Sequence, residues 1–547
     1  MARSRLLVAA LAAVALLAAG AAGPSGGARQ RAQTPPAATP TFVVSGRGWG
    51  HGVGLAQWGS QGFAQQGATY DEILGHYYTG TTLGQAPVAR VRVLLAQGKA
   101  RLNVSSEAPF TVRDALGHLW HLAAGPHTFG PGLRLQTMEI QQKQQLPGPL
   151  LFSPGTSPLR LNSGPYRGQL QVSVAHGTLR AVNDVGLEAY LFGVVPSEMP
   201  YTWLPEALKA QAVAARSYAL AVRRTNSWFD LYPDTRSQVY RGIVGEKPST
   251  TTAVQDTAGE VVLYNGRVAK TYFFSSSGGR TAAAADVWPN APAIPYLVSV
   301  DDPYDTISPW HQWGPFAVGA RKLGRVLGSP GRLLDVRTAA APSGRVRTVT
   351  AVGSQGESSV TGADLRRALK LRSTWFRIGV LSLSQPPTPV TFGTQVSLNG
   401  VARSLPSVRL EMRQAGGAWH AVGPVSPGQN GMVSVSARPR GPTDYRLVSG
   451  KARSRVAHVA VAPLVRFYGL EGTNTLRGYA RPLFPGANVS VQRLEGAVWA
   501  TVVRATIDAN GDFVANLTLS QGDYRARLAP RRGFAPGVSP VLHVGPA

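Results

Sequence analysis

The chain has 547 residues, no cysteine and a formal net charge of +27. The lack of cysteine excludes disulfides, thiolate chemistry and every zinc site that uses sulfur, so stability has to come from packing. Only eight of the 55 basic residues are lysine, which means that guanidinium groups, with their bidentate preference for carboxylate and phosphate, carry the charge.

The first 23 residues read as a secretory leader. Arg3 and Arg5 precede an apolar run over 6–19, and small residues follow at 20–23. At 14 residues the run is too short for a membrane-spanning helix, and no later segment is long and apolar enough to span. The expected location is secreted, in the cell envelope outside the cytoplasmic membrane. There the basic charge fits anionic wall polymers, and nucleic acid is not expected as a partner. Residues 24–40, PSGGARQRAQTPPAATP, form a Pro/Ala-rich linker.

From 41 to 381 the chain mixes strand-like and helical stretches. ARVRVLLA (89–96) and QLQVSVA (169–175) carry strand patterning. The longest helix is expected at 204–224, Ala-rich, with proline in its first turn and Glu206 at its positive end. A shorter helix is expected at 362–371, capped by Thr361. Beyond about 382 a pattern repeats. Trp419, Asn430-Gly431 and Tyr445-Arg446 recur as Trp499, Asn510-Gly511 and Tyr524-Arg525, a period of about 80 residues. Short strands between Gly/Pro/Asn turns at that period predict two tandem Ig-like β-sandwiches, 388–463 and 464–547, with the tryptophans in the core and Asn-Gly in hairpins. The expected fold class is α+β: a β-rich domain over 41–381 with one long helix, then two all-β modules. Within the first domain, 41–84, 85–180 and 181–381 form a leading segment, a β-rich part and a core.

Chemistry is expected around Glu198, in a loop just before the long helix and flanked by Val195, Met199 and Trp203. Apolar burial would raise its pKa, whereas the helix start, Lys209 and Arg216 would lower it. Such opposed pulls mark a general acid, against the blander reading of a local cap. SSSGGRT (275–281) lacks a nucleophile elbow and has no His/Asp pair, so a serine nucleophile is not expected. Asp301-Asp302-Pro303 reads as a turn. His51, His76 and His311 have no ligand spacing; no metal and no cofactor is expected.

YLFGVVPSEMPYTWLPEALKAQAVAARSYALA (190–221) resembles the signature of the SpoIID/LytB family, the sporulation protein D and amidase-enhancer group of bacterial cell-wall proteins. The resemblance continues at 264–288, 295–305 and 362–380, and in GRGWGHGVGLAQWG (46–59), but does not cover the two repeats. In most relatives the GWGHGVG block comes last, whereas here it comes first. The implied arrangement is a circular permutation in which the leading segment folds back beside 362–380. Its glycines would let backbone pass close to a substrate, Trp49 and Trp58 would stack on sugars, and His51 and Gln57 would donate hydrogen bonds into the groove of Glu198. Ser277, Gly278 and Gly279 would form a turn presenting backbone N–H groups to ligand. Some relatives bind zinc through a histidine at the position of Phe274, together with cysteines; this chain has neither.

The family resemblance implies peptidoglycan. Members like sporulation protein D are lytic transglycosylases that cleave between MurNAc and GlcNAc in glycan strands. Hydrolysis needs two carboxyls, but this route needs one, because the sugar's own 6-hydroxyl attacks. Glu198 would serve as acid and then base, with Lys209, Gln211 and Arg216 orienting it. Two readings compete: a non-catalytic enhancer that binds wall glycan and stimulates a partner cell-wall amidase, and a wall-bound scaffold or adhesion protein.

Overall fold

Thr41–Arg47 is the second strand of a five-stranded sheet. It pairs antiparallel with Gln312–Gly319 on one side and Phe376–Leu383 on the other, from Thr41 opposite Leu381 to Gly46 opposite Phe376. The structure, a computed structural model, describes residues 38–288, 290, 292–469, 475–531 and 533–545. The leader expected at 1–23 and nearly all of the linker expected at 24–40 lie outside those residues. The leading strand buries three consecutive residues, Phe42, Val43 and Val44, as a strand paired on both sides and covered on both faces does.

The fold is β-rich α+β. After the leading strand come α1 (Gln57–Gln65) and α2 (Tyr70–Tyr77), the latter started by a Thr69/Glu72 capping box. A block of short antiparallel strands follows, in which Arg90–Lys99, Gln169–Ala175 and Thr178–Gly186 share a six-stranded sheet over an aliphatic and aromatic core. Then come α3 (Leu187–Glu198), α4 (Pro205–Val222) and α5 (Pro248–Asp256). The expected long helix therefore exists, with proline at its first position. A helix also spans Gly362–Leu369, where the Thr361 side chain accepts from the Asp364 N–H at 3.1 Å. Small residues on α4 (Ala207, Ala210, Ala212, Ala214, Ala215, Ala219) are fully buried and let its neighbours approach closely.

The five-stranded sheet continues from Phe376–Leu383 into Val396–Arg403 and Met432–Ala437. The first repeat thus shares a sheet with the region before it. Two landmarks of the repeat differ from expectation. Asn430-Gly431 and Asn510-Gly511 do not close hairpins: each precedes a strand whose partners lie in a different sheet from the strand before it. Trp419 and Trp499 are only half-buried. Trp419 lies under Arg413 and Arg446 at 4.8 and 3.9 Å, and Trp499 under Arg525 at 4.2 Å. The buried landmark is the tyrosine, Tyr445 or Tyr524, whose next residue points outward onto the tryptophan.

Candidate functional site

Glu198 is the last residue of α3, not part of a loop at the start of α4. The helix dipole at its position is therefore the negative end, which disfavours a carboxylate, opposite in sign to expectation. The residue is half-buried, and burial raises its pKa above the ordinary glutamate value, against one backbone donor, Val239 N–H, at 3.4 Å from Oε1. No other partner holds the carboxyl among the described residues. Such an acid keeps its proton longer than a free glutamate and has an oxygen to offer.

The leading segment builds the surroundings of this carboxyl. Gln57, first residue of α1, donates from Nε2 to the backbone oxygen of Glu198 at 3.0 Å and lies 3.3 Å from Gln211 Oε1. Gln61 accepts from the Leu204 N–H at 3.0 Å, and the ring of Trp58 meets that of Trp203 at 4.7 Å. Glu206 at the start of α4 accepts from the Tyr70 N–H at the start of α2, 2.8 Å away. Residues 57–70 are thus clamped along 198–211 by side chains from both.

On α4 the site uses Gln211 and Tyr218, seven residues apart. Tyr218 is half-buried; burial, then Tyr272 and the charge of Glu198, raise its pKa. Its ring contacts Tyr272 at 5.7 Å, and Tyr272 in turn contacts His51 at 5.8 Å and Trp288 at 4.7 Å. His51 is therefore reached from Glu198 across two tyrosines. Its Nδ1 accepts from the Val53 N–H at 3.1 Å, Phe274 packs 5.5 Å from its ring, and burial with Arg345 and Arg366 lowers its pKa to about 4. At neutral pH it is an uncharged imidazole that shapes the aromatic wall. Trp49 is 41% exposed, edge-on to Trp310 at 5.1 Å, with Arg372 between the two faces at 4.9 and 3.4 Å.

Three expected contacts fall elsewhere. Arg216 is completely buried. It binds Glu188 at 2.5 and 3.0 Å and the backbone oxygens of Val254 and Glu260, so it is a structural ion pair that cannot meet substrate. Lys209 is neutralised by Glu206 at 3.1 Å and Asp256 at 3.5 Å. Positions 209 and 216 lie roughly 200° around the helix from 211 and 218, so the spacing that grouped the cations also turned them away. The third is the turn at Ser277, Gly278 and Gly279. The Ser277 and Gly278 N–H groups both donate at 2.9 Å to the buried carboxylate of Asp305, and the Gly279 N–H to Ser277 Oγ at 3.0 Å. The chain fills this cradle with its own acid. The turn still shapes the site through backbone: Trp49 N–H donates to Ser276 and Trp58 N–H to Ser275, at 2.8 and 2.9 Å. Gly48, at φ +69°, lies against the Ser276 and Ser277 carbonyls where a Cβ would collide.

Tyr218 and Tyr272 were not singled out from the sequence, whereas Trp203 was read there as a neighbour of Glu198. The i, i+7 spacing of Gln211 and Tyr218 was the available signal for the first. Nothing in the sequence places Tyr272 against His51.

Comparison with known proteins matches this region. Residues 175–264, which run from the last strand pair of the six-stranded sheet through α3, α4 and α5, match the family model described as SpoIID: Stage II sporulation protein. The chain carries a SpoIID family domain. It is 35% identical over 217 residues to Stage II sporulation protein D of Bacillus subtilis strain 168, a match covering 36% of this chain and 61% of the relative. It is 41% identical over 121 residues to the Amidase enhancer of the same strain, covering 22% of this chain and 16% of that protein. An uncharacterized protein of Brachyspira hyodysenteriae is 41% identical over 143 residues, covering 26% of this chain and 38% of its own. The chain spans less than two thirds of the length of each of these relatives. Among the described residues no helix is long and apolar enough to cross a membrane.

Proposed function

We propose that the chain is a secreted peptidoglycan-acting protein, a lytic transglycosylase that cuts MurNAc–GlcNAc strands with Glu198 as its acid and base. The observation that carries this reading is the state of that carboxyl: half-buried, raised in pKa, at a helix C-terminus, with one long hydrogen bond and a free oxygen. Protonated Glu198 gives its proton to the glycosidic oxygen as the C1–O bond breaks. The carboxylate so formed takes the proton of the C6 hydroxyl as that oxygen closes onto C1, leaving a 1,6-anhydro end and consuming no water. Tyr218, Tyr272 and Trp58 supply aromatic faces for sugar rings, and Gln57 and Gln211 hold the end of α3 in place. The leading residues serve as a secretion leader, and the two C-terminal modules as Ig-like spacers or wall-binding arms. The pairing of 41–47 with 376–383 supports a permuted arrangement of the family's GWGHGVG block.

The likeness to a protein named Amidase enhancer supports a second reading, binding of wall glycan without cutting and stimulation of a separate amidase. Product analysis separates the two. Wild type and Glu198→Gln are incubated with purified glycan strands, with and without stem peptides, and ends are read by mass spectrometry. Anhydro-muramyl ends from wild type alone establish the enzyme. Binding without products from either protein establishes the enhancer.

A further inference from the structure

Away from Glu198, a cleft of about 660 Å³ opens between residues 39–41, the helix Ala320–Leu327 with the loop that follows it, and Arg455. Four arginines line it: Arg321, Arg325, Arg332 and Arg455. All four are exposed, and no carboxylate lines the cleft. Arg216, Arg347, Arg403 and Arg446, by contrast, are each tied down by an acid. None of these four side chains makes an ion pair, a hydrogen bond or a stacking contact with any described residue. Arg321 and Arg325 stand one turn apart on one helix face, so their charges repel without compensation.

We propose that this cleft binds a phosphodiester-linked polyanion. Four guanidinium forks arriving from three separate segments suit a group whose oxygens point in several directions, as a tetrahedral phosphate's do, better than one planar carboxylate. Gly319, Gly324, Gly328 and Gly331 also line the cleft and put no side chain into it. The hydroxyl of Ser329, also in the lining, is buried without a hydrogen-bond partner. Uncompensated charge at four points calls for a ligand with several negative charges, so the bound stretch spans more than one phosphate. This site would anchor the protein to a phosphate-bearing polymer independently of any reaction at Glu198.

Isothermal titration of the full chain with inorganic tripolyphosphate tests the proposal, with citrate as a carboxylate of similar charge. Binding of tripolyphosphate at 50 mM salt is expected, weakened at least tenfold at 500 mM. Replacing Arg321, Arg325, Arg332 and Arg455 together by Ala should weaken it at least tenfold with the melting temperature unchanged. The same substitution at four exposed arginines elsewhere, Arg101, Arg438, Arg440 and Arg504, should leave it within twofold. Equal loss in both variants, or no loss in the cleft variant, overturns the site. Citrate binding as tightly as tripolyphosphate overturns the phosphate assignment.

Discussion

Two buried-side carboxyls of this chain sit at the two sides of the leading segment and have opposite fates. Asp305 is fully enclosed and receives Ser276 Oγ, Ser277 N–H, Gly278 N–H and the His311 ring, each at 2.9–3.1 Å. Glu198 is half-open and receives one N–H at 3.4 Å. A carboxylate that accepts four donors is spent on holding a turn together. One with a single long bond, raised by burial, holds its proton to higher pH than a free glutamate and keeps the freedom to transfer it. The contrast separates scaffold from chemistry, although the sequence presents both as acids among small and aromatic residues.

The largest expected effect is on the open carboxyl. Glu198→Gln keeps the shape but cannot exchange a proton, so glycan cleavage should fall at least about 10³-fold, while the thermal midpoint stays within about 2 °C. Fragment release by mass spectrometry and a thermal melt read the two halves. Asp305→Ala should do the reverse. It strands buried donors and the His311 ring, costing about 3–5 kcal/mol in denaturant unfolding. If Asp305→Ala folds normally and Glu198→Gln unfolds, the roles have been assigned the wrong way round.

How far the sequence could reveal this follows from what each residue has to do locally. The helix α4, its leading proline and the Thr361 cap depend on neighbours within a turn, and these were legible. The glycine-rich run announced close backbone approach, which Gly48 realises. The identity of partners was not legible, because three of the donors that Asp305 binds, on Ser276, Ser277 and Gly278, lie 27 to 29 residues away. A helical spacing likewise says which residues share a face but not what that face meets, so Arg216 read as a site cation and is a buried strut. Trp419 and Trp499 read as core for a similar reason: hydrophobic size suggests burial, whereas arginine stacking covers them at the surface.

Asp302 is a third case that sharpens the comparison. It is as enclosed as Asp305, but its oxygens, like the hydroxyl of Tyr77, have no hydrogen bond of good geometry; both groups lie over Gly59, where a Cβ would collide with them. Burial, and then the charge of Asp305, raise its pKa from 3.8 to about 7. The folded state therefore binds more protons than the unfolded one between pH 4 and 7, so this group's contribution to stability is full below pH 4 and is lost as pH rises through about 7. His51, lowered to about 4, acts in the opposite direction, with stability present above 6.5 and lost as pH falls through 4. Asp302→Asn removes only the first. The stability of the variant relative to wild type should climb by about 2–4 kcal/mol from pH 4 to pH 7, measured by urea unfolding across that range. A pH-independent difference would mean that Asp302 is ionised throughout and belongs with Asp305.

The smallest expected effect concerns what keeps Glu198 open. Gln57 touches the backbone oxygen of Glu198 and the side chain of Gln211 but makes no hydrogen bond to the Glu198 carboxyl, so it is a positioning residue. Gln57→Ala should cost about 1 kcal/mol of stability, one buried hydrogen bond's net worth with the Gln211 Oε1 acceptor left unpaired. Cleavage should fall about tenfold through kcat with KM little changed, because the carboxyl is displaced by a fraction of an ångström rather than removed. Gln57→Glu is the informative control. It keeps the length but puts an acceptor against the Glu198 carbonyl and a second negative charge near a carboxyl that should stay protonated. The alkaline limb of the pH–rate profile, where Glu198 loses the proton it has to donate, should then shift upward in the Glu variant and stay in place in the Ala variant. Equal profiles in both would place Gln57 outside the electrostatic reach of Glu198 and reduce the clamp formed by the leading segment to a purely mechanical one.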